Sequence, residues 1–260
     1  MIYFIVALKE EAKPLIEYYK LKKDLNYHKF EVFSNNNYLL IITKVGILNC
    51  IFALSNFFSN KIINDEDLCI NVGIMGSSKY KIKDKVLINK IESDYYDNIF
   101  YPDILFKHNY YTDSIISCNK VIKNLNGNYD MESFGIFYVL RKYFNCDRMI
   151  YFKIVSDNLN NVDINIKQLI NSIIDDLNYL IEVNRINNHN MNNELFLDVS
   201  RKLNLTVSMK YILWNDIRYL FLCNIDVDNI LKKYLIEVNN SEERKYYYDK
   251  LRKEIQKYIY

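Results

Sequence analysis

Apolar runs and amphipathic stretches alternate along the first two thirds of the chain. Met1 to Ala7 is unbroken apolar sequence, the pattern of a central strand covered on both faces. Lys9-Glu10-Glu11-Ala12 then predicts a helix start, with two acids in the first turn and Pro14 early enough to be tolerated. Phe30 to Phe33 and Tyr38 to Thr43 read as two strands of a hairpin around Asn35-Asn36-Asn37. An apolar-periodic helix follows Gly46 and runs through Phe57, and Leu68 to Gly73 predicts another buried strand. Lys83 to Ile88 fits the next strand, Tyr95 to Asp113 reads mostly as loop, and Ile115 to Asn119 is a short apolar run. The stretch 132–144 predicts a helix with Phe137, Leu140 and Phe144 on one stripe and Asp130 as its N-cap. Met149 to Val155 is an apolar strand that runs straight into Ser156-Asp157. A polar loop (158–163) then leads to one long amphipathic helix, 164–183.

Beyond it the pattern changes. The Asn-rich stretch 184–193 has the composition of a linker. The remainder predicts helices over 195–203, 208–221, 226–238 and 241–259, the last capped by Ser241. The reading is therefore an α/β domain over 1–183, a mixed sheet flanked by helices, and an all-helical C-terminal appendage over 190–260. Lys250, Arg252, Lys253 and Lys257 alternate with tyrosines, but Glu242, Glu243, Asp249 and Glu254 interrupt them, as on a solvated helix face. A protein partner is the other use open to the appendage.

Composition narrows the chemistry. Hydrophobic residues make up 50% and charged residues 25%, values of a soluble globular protein. A net charge of +2 gives no case for nucleic acid or an acidic membrane. The five cysteines are scattered without a Cys-x-x-Cys, as reduced thiols are, and the three histidines lack metal-ligand spacing. No metal and no cofactor is expected. No run reaches the ~20 apolar residues of a membrane span, and the first residues lack the basic flank of a signal peptide, so a cytoplasmic protein is expected.

In open α/β sheets ligands sit beyond the carboxyl ends of strands, which makes Asp157 a candidate. Glu132 would reach the same crevice from a helix start, where the dipole favours a carboxylate. Met131-Glu132-Ser133, followed two dozen residues later by a strand ending in Ser156-Asp157, resembles the superfamily of nucleoside phosphorylases and methylthioadenosine/S-adenosylhomocysteine nucleosidases. Ala7-Leu8-Lys9-Glu10-Glu11 matches the layout of that family's first strand and acidic helix start. Asn71, Gly73 and Gly76 match its Asn-Thr-Gly-Ser-Ala-Gly turn, with Ile74 in place of the serine, and Asp84 matches a Gly-Asp before the next strand. Gly46 and Asn49 match a Gly-Ile-Gly-Asn turn in which Leu48 replaces the second glycine. Between Ser93 and Tyr129 the segment that supplies base-stacking residues in the family is shortened and unrecognisable.

The resemblance implies a nucleoside phosphorylase-like fold and hydrolysis of the N-glycosidic bond of a purine nucleoside or 5'-thionucleoside. It implies Asp157 as proton donor to the base, Glu132 with Met131 on the ribose, and Glu11 as activator of water. Ser156 would orient Asp157, while Ala7, Gly73 and Ile74 would line the substrate pocket and Val121 and Ile122 would flank the base. An acid at Asp157 needs burial to hold its proton near neutrality, and Lys153, where the family often has arginine, would work against that if close. Leu48 and Ile74 would crowd an approaching anion, which favours hydrolysis over phosphorolysis. The alternatives are a phosphorolytic enzyme and a catalytically degenerate nucleoside-binding adaptor that uses its helical extension. The resemblance also implies a homodimer.

Overall fold

Odd and even residues of the first strand, β1 (Ile2–Val6), face two different cores, because successive side chains of a strand point to opposite sides. Tyr3 and Ile5 pack with α2 (Ile47–Phe58) and α3 (Ser133–Leu140). Ile2, Phe4 and Val6 pack with α1 (Lys9–Tyr19), α4 (Ile166–Asn171) and α5 (Ile174–His189). Covering both faces is what makes the strand read as unbroken apolar sequence. The structure, a computed structural model, describes residues 1–120, 126–159, 165–189, 193–223 and 225–258. They fall into two units, 1–184 and 185–260.

The first unit holds a mixed sheet of nine strands among the described residues. Its further members are β2 (Lys22–Lys23), β3 (Glu31–Ser34), β4 (Tyr38–Ile42), β5 (Leu68–Ser77), β6 (Lys85–Ser93), β7 (Tyr111–Ser117), β8 (Asn128–Asp130) and β9 (Met149–Asp157). The order is β2-β3-β4-β1-β5-β8-β7-β6-β9, and β5 also pairs with β9, so the last five strands close on themselves. The hairpin β3–β4 turns at Asn35, whose Oδ1 accepts from the amides of Asn37 and Tyr38. Two details open the crevice. β1 pairs with β5 only from Ile2↔Leu68 to Ile5↔Asn71, after which β5 runs on to meet β8 at Gly76 and Ser77. On β9 the register shifts from Met75↔Val155 to Gly76↔Asp157, so Ser156 is the extra residue of a bulge, a device that re-aims the next side chain.

Several boundaries differ from the sequence reading. The helix expected over 132–144 ends at Leu140, because Lys142 and Tyr143 bond to carbonyls three residues back and tighten the last turn. Its N-cap position is Glu132; Asp130, at the end of β8, reaches forward to accept from the Ser133 amide. The single helix expected over 164–183 is two, α4 and α5, divided at Ser172, whose hydroxyl donates to the Leu169 carbonyl. The Asn-rich stretch is not all linker: α5 continues to His189, and Asn184 is buried with its side-chain amide donating to Leu180.

The second unit consists, among its described residues, of α6 (Asn193–Lys202), α7 (Val207–Leu222), α8 (Val227–Lys232) and α9 (Ser241–Gln256). Its core gathers Val199, Leu203, Leu213, Ile217, Ile230, Leu231, Leu251 and Ile255. Thr206 and Asp226 cap α7 and α8. The cap of α9 is Asn240, which accepts from the amides of Glu242 and Glu243, rather than Ser241. The helix expected over 226–238 stops at Lys232. No helix among the described residues is long and apolar enough to cross a membrane.

Candidate active site

Where β1 and β5 separate, the backbone N–H groups of Ala7 and Leu8, just past β1, and of Ile74, within β5, need partners other than each other's strand. Glu11, the third residue of α1, supplies them. Its Oε2 accepts from the amides of Ala7 and Leu8 (2.9 Å each), and its Oε1 accepts from Ile74 at 3.0 Å. The residue is 3% exposed, and burial pushes its carboxyl above the usual range against the pull of those three amides and of Lys153. Gly73 makes the fit possible: a Cβ there would stand 3.0 Å from Glu11 Oε1. Gly73 is thus a support behind Glu11 and does not line the cavity, contrary to its expected place in the pocket wall.

Beneath the crevice lies a buried ion pair. Lys153 Nζ is 2.9 Å from Asp130 Oδ2, with side-chain exposures of 2% and 1%. Asp130 also accepts from the hydroxyls of Ser117 and Ser133 and from the Ser133 amide. Burial acts to raise Asp130, but Lys153 and the two serines outweigh it and hold it below its ordinary value. Burial acts to lower Lys153, but Asp130 and Glu132 outweigh it and hold it above. Lys153 is therefore engaged by Asp130, and the bulge at Ser156 ends the regular alternation that would have put Lys153 and Asp157 on one face.

Glu132 sits above this pair. Its Oε1 accepts from the Gly46 amide at the start of α2 (3.0 Å), and its Oε2 accepts from the Met131 amide (3.2 Å). Burial, then the Asp130 charge, lift its pKa from 4.5 to about 7, against Lys153 and the Gly46 amide. The helix dipole expected to keep it ionised does not win there. Asp157, turned by the bulge, accepts from the Ser156 hydroxyl at Oδ2 (2.7 Å) and from the Leu159 amide at Oδ1 (2.9 Å). Ser156 has a second contact with the Met75 carbonyl at 3.2 Å.

These groups surround one cavity of about 220 Å³. Of the residues singled out in the sequence, Asp157, Glu11, Glu132, Met131, Ser156, Ala7 and Ile74 line it. Val121 and Ile122 lie outside the described residues. Leu48, expected to crowd the site, is 71% exposed and does not line the cavity. Sequence reasoning missed the wall made by Tyr129, Leu159 and Lys120. Tyr129 sits next to the recognised motif and could have been found there, but Leu159 reaches the cavity through a left-handed backbone (φ 60°) that no local signal announces. Among the described residues no cluster of His, Cys, Asp and Glu is arranged to hold a metal.

No family model matches the sequence, and no curated protein matches it. Solved structures do match in fold. The methylthioadenosine/S-adenosylhomocysteine nucleosidase of Neisseria meningitidis, in complex with methylthio-immucillin-A, superposes with a TM-score of 0.56 at 16% identity, covering 71% of this chain and 98% of that one. The Helicobacter pylori nucleosidase, complexed with a compound carrying an amino-pyrrolopyrimidine, gives 0.55 at 12% identity over 70% and 97%. A variant of the Chlamydia trachomatis nucleosidase bound to methylthioadenosine gives 0.52 at 17% over 69% and 98%. The neighbours are covered almost whole by about 70% of the chain, a share that matches the first unit in length. The chain has the nucleoside phosphorylase-like α/β fold of the methylthioadenosine/S-adenosylhomocysteine nucleosidases.

Proposed function

We propose that the protein hydrolyses the N-glycosidic bond of a purine nucleoside or 5'-thionucleoside. The observation that carries this reading is the convergence of Glu11, Glu132 and Asp157, remote in sequence, on one cavity in a nucleosidase fold. Breaking the bond builds positive charge on the sugar and negative charge on the departing base, so it needs an acid by the base, an anchor on the sugar and an activated water. Asp157 gives a proton to the base, and Ser156 donates to its far oxygen and fixes its rotation. Glu132 accepts from the ribose hydroxyls beside Met131. Glu11 takes the proton of the attacking water at Oε1, which carries one backbone hydrogen bond where Oε2 carries two and so keeps a lone pair for it.

The experiment is adenine release from methylthioadenosine in phosphate-free buffer. Release that Asp157→Asn and Glu11→Gln both abolish supports hydrolysis; turnover that requires phosphate would convert the reading to phosphorolysis. A second reading, a nucleoside-binding protein without turnover, is favoured by one observation: Glu11 is engaged by three backbone amides and serves as a structural tie. Thermal stabilisation by methylthioadenosine without any adenine release would select it.

A further inference from the structure

The cavity lies between strand ends that meet head to head. β1 runs parallel to β5 and ends at Val6, whereas β7 and β8 run together and β8 is antiparallel to β5. The carboxyl end of β1 therefore faces those of β7 and β8. One wall carries Ala7, Leu8 and Glu11; the facing wall carries Cys118, Lys120 and Met131. The Cys118 amide donates to the Asp130 carbonyl at 2.8 Å, which carries the β7–β8 ladder past Ser117 and leads the chain to Lys120 along that wall.

Charge is divided between the two walls. Lys120 is the one cation among the described residues that line the cavity. Lys153 lies beneath it and is spent on Asp130. An ammonium offers three donors and no acceptor, so it suits an atom that is gaining negative charge. Hydrolysis at a glycosidic carbon can bring water to one face of the sugar and send the leaving group from the other. With Glu11 activating the water at the β1 wall, the base departs towards the wall that holds Lys120.

We propose that Lys120 is a further catalytic residue, whose ammonium meets the departing base and stabilises the negative charge that builds on it. The electron pair of the broken C1′–N9 bond leaves with the base, and Asp157 supplies the proton that neutralises it. The water oxygen bonds to C1′ and its proton goes to Glu11. The inference rests on the nucleosidase reading of the same cavity and adds the group that faces the leaving charge.

The test compares two leaving groups in the full chain: adenine from methylthioadenosine, and p-nitrophenolate from the p-nitrophenyl glycoside of 5-methylthioribose. Adenine departs poorly and needs the cation, whereas nitrophenolate is stable without it. Lys120→Met lowers kcat for methylthioadenosine by about 10- to 100-fold, less than an enclosed donor because Lys120 is exposed, and leaves KM nearly unchanged. Lys120→Arg keeps most of the rate, and the nitrophenyl glycoside is hydrolysed almost normally by Lys120→Met. Full kcat on methylthioadenosine in Lys120→Met, an equal loss on both substrates, or a change confined to KM would overturn the inference and leave hydrolysis standing. A wild type that cleaves neither substrate would remove both readings together. Melting curves of each variant separate lost rate from lost fold.

Discussion

Replacing Lys153 by methionine strips Asp130 of its cation at a place where water does not reach. Both side chains are essentially unexposed, so the stranded carboxylate must pay its full desolvation or take up a proton, at a cost of about 3–5 kcal/mol. Asp130→Asn strands the ammonium instead, at a similar cost. The double variant removes both charges and should recover at least about 2 kcal/mol relative to the sum of the singles. Glu132 reports the same change through pH. Its pKa of about 7 against 4.5 unfolded means that the folded protein holds this proton longer, so stability from this group is fully present below 4.5 and is lost as pH rises to about 7. The full swing is on the order of 3 kcal/mol. Asp130→Asn removes a charge that lifts Glu132 and flattens this slope; Lys153→Met removes one that lowers it and carries the slope above pH 7. Asp130 itself works oppositely, its stabilisation present above the ordinary carboxylate range and lost as pH falls through its depressed value. Urea midpoints at about pH 5, 6, 7 and 8 for the four proteins measure both effects. Additivity of the singles within about 0.5 kcal/mol, or a wild-type slope retained in Asp130→Asn, would refute the coupling.

Ligand binding carries a related expectation: if ionised Glu132 receives the ribose hydroxyls, affinity for methylthioadenosine falls about tenfold per pH unit below about 7, measured by calorimetry. Gly73→Ala drives a Cβ to 3.0 Å from Glu11 Oε1 and 3.5 Å from Lys153 Nζ, and should cost about 1–3 kcal/mol in thermal melts while lowering turnover more than binding. Gly135→Ala meets the backbone of Ile47, its Cβ 2.6 Å from the carbonyl oxygen, so α2 and α3 must part and the loss should exceed about 3 kcal/mol. Tyr151→Phe removes a buried hydroxyl with no hydrogen-bond partner and should be neutral or stabilising by up to about 1 kcal/mol in the same melts.

What could be read from the sequence follows from where the determinants lie. β1, β5 and β9 are legible because burial on both faces writes them as apolar runs. β8 is three residues long, too short for any period to show. The division between α4 and α5 is invisible because Leu169, Ile173 and Leu177 keep an apolar spacing straight through it, while a serine hydroxyl makes the break. The three acids could be found from family-like motifs, but not their environment. The amides that hold Glu11 come from chain segments that part in space, and whether Lys153 stands near Asp157 turns on a single added residue that changes which way the strand faces. Tertiary register, not local pattern, decides these contacts.

The tie that Glu11 makes between the residues after the first strand and Ile74 within the fifth has a consequence for descent. A carboxylate that anchors a helix start to two diverging strands is retained by selection for folding even after turnover is gone. On the proposed reading, loss of catalysis would therefore leave position 11 untouched and be written first at Asp157, whose carboxylate is held, among the described residues, only by its neighbours Ser156 and Leu159 at the cavity wall. On that reading the glutamate answers to the architecture, and the aspartate to the proposed chemistry.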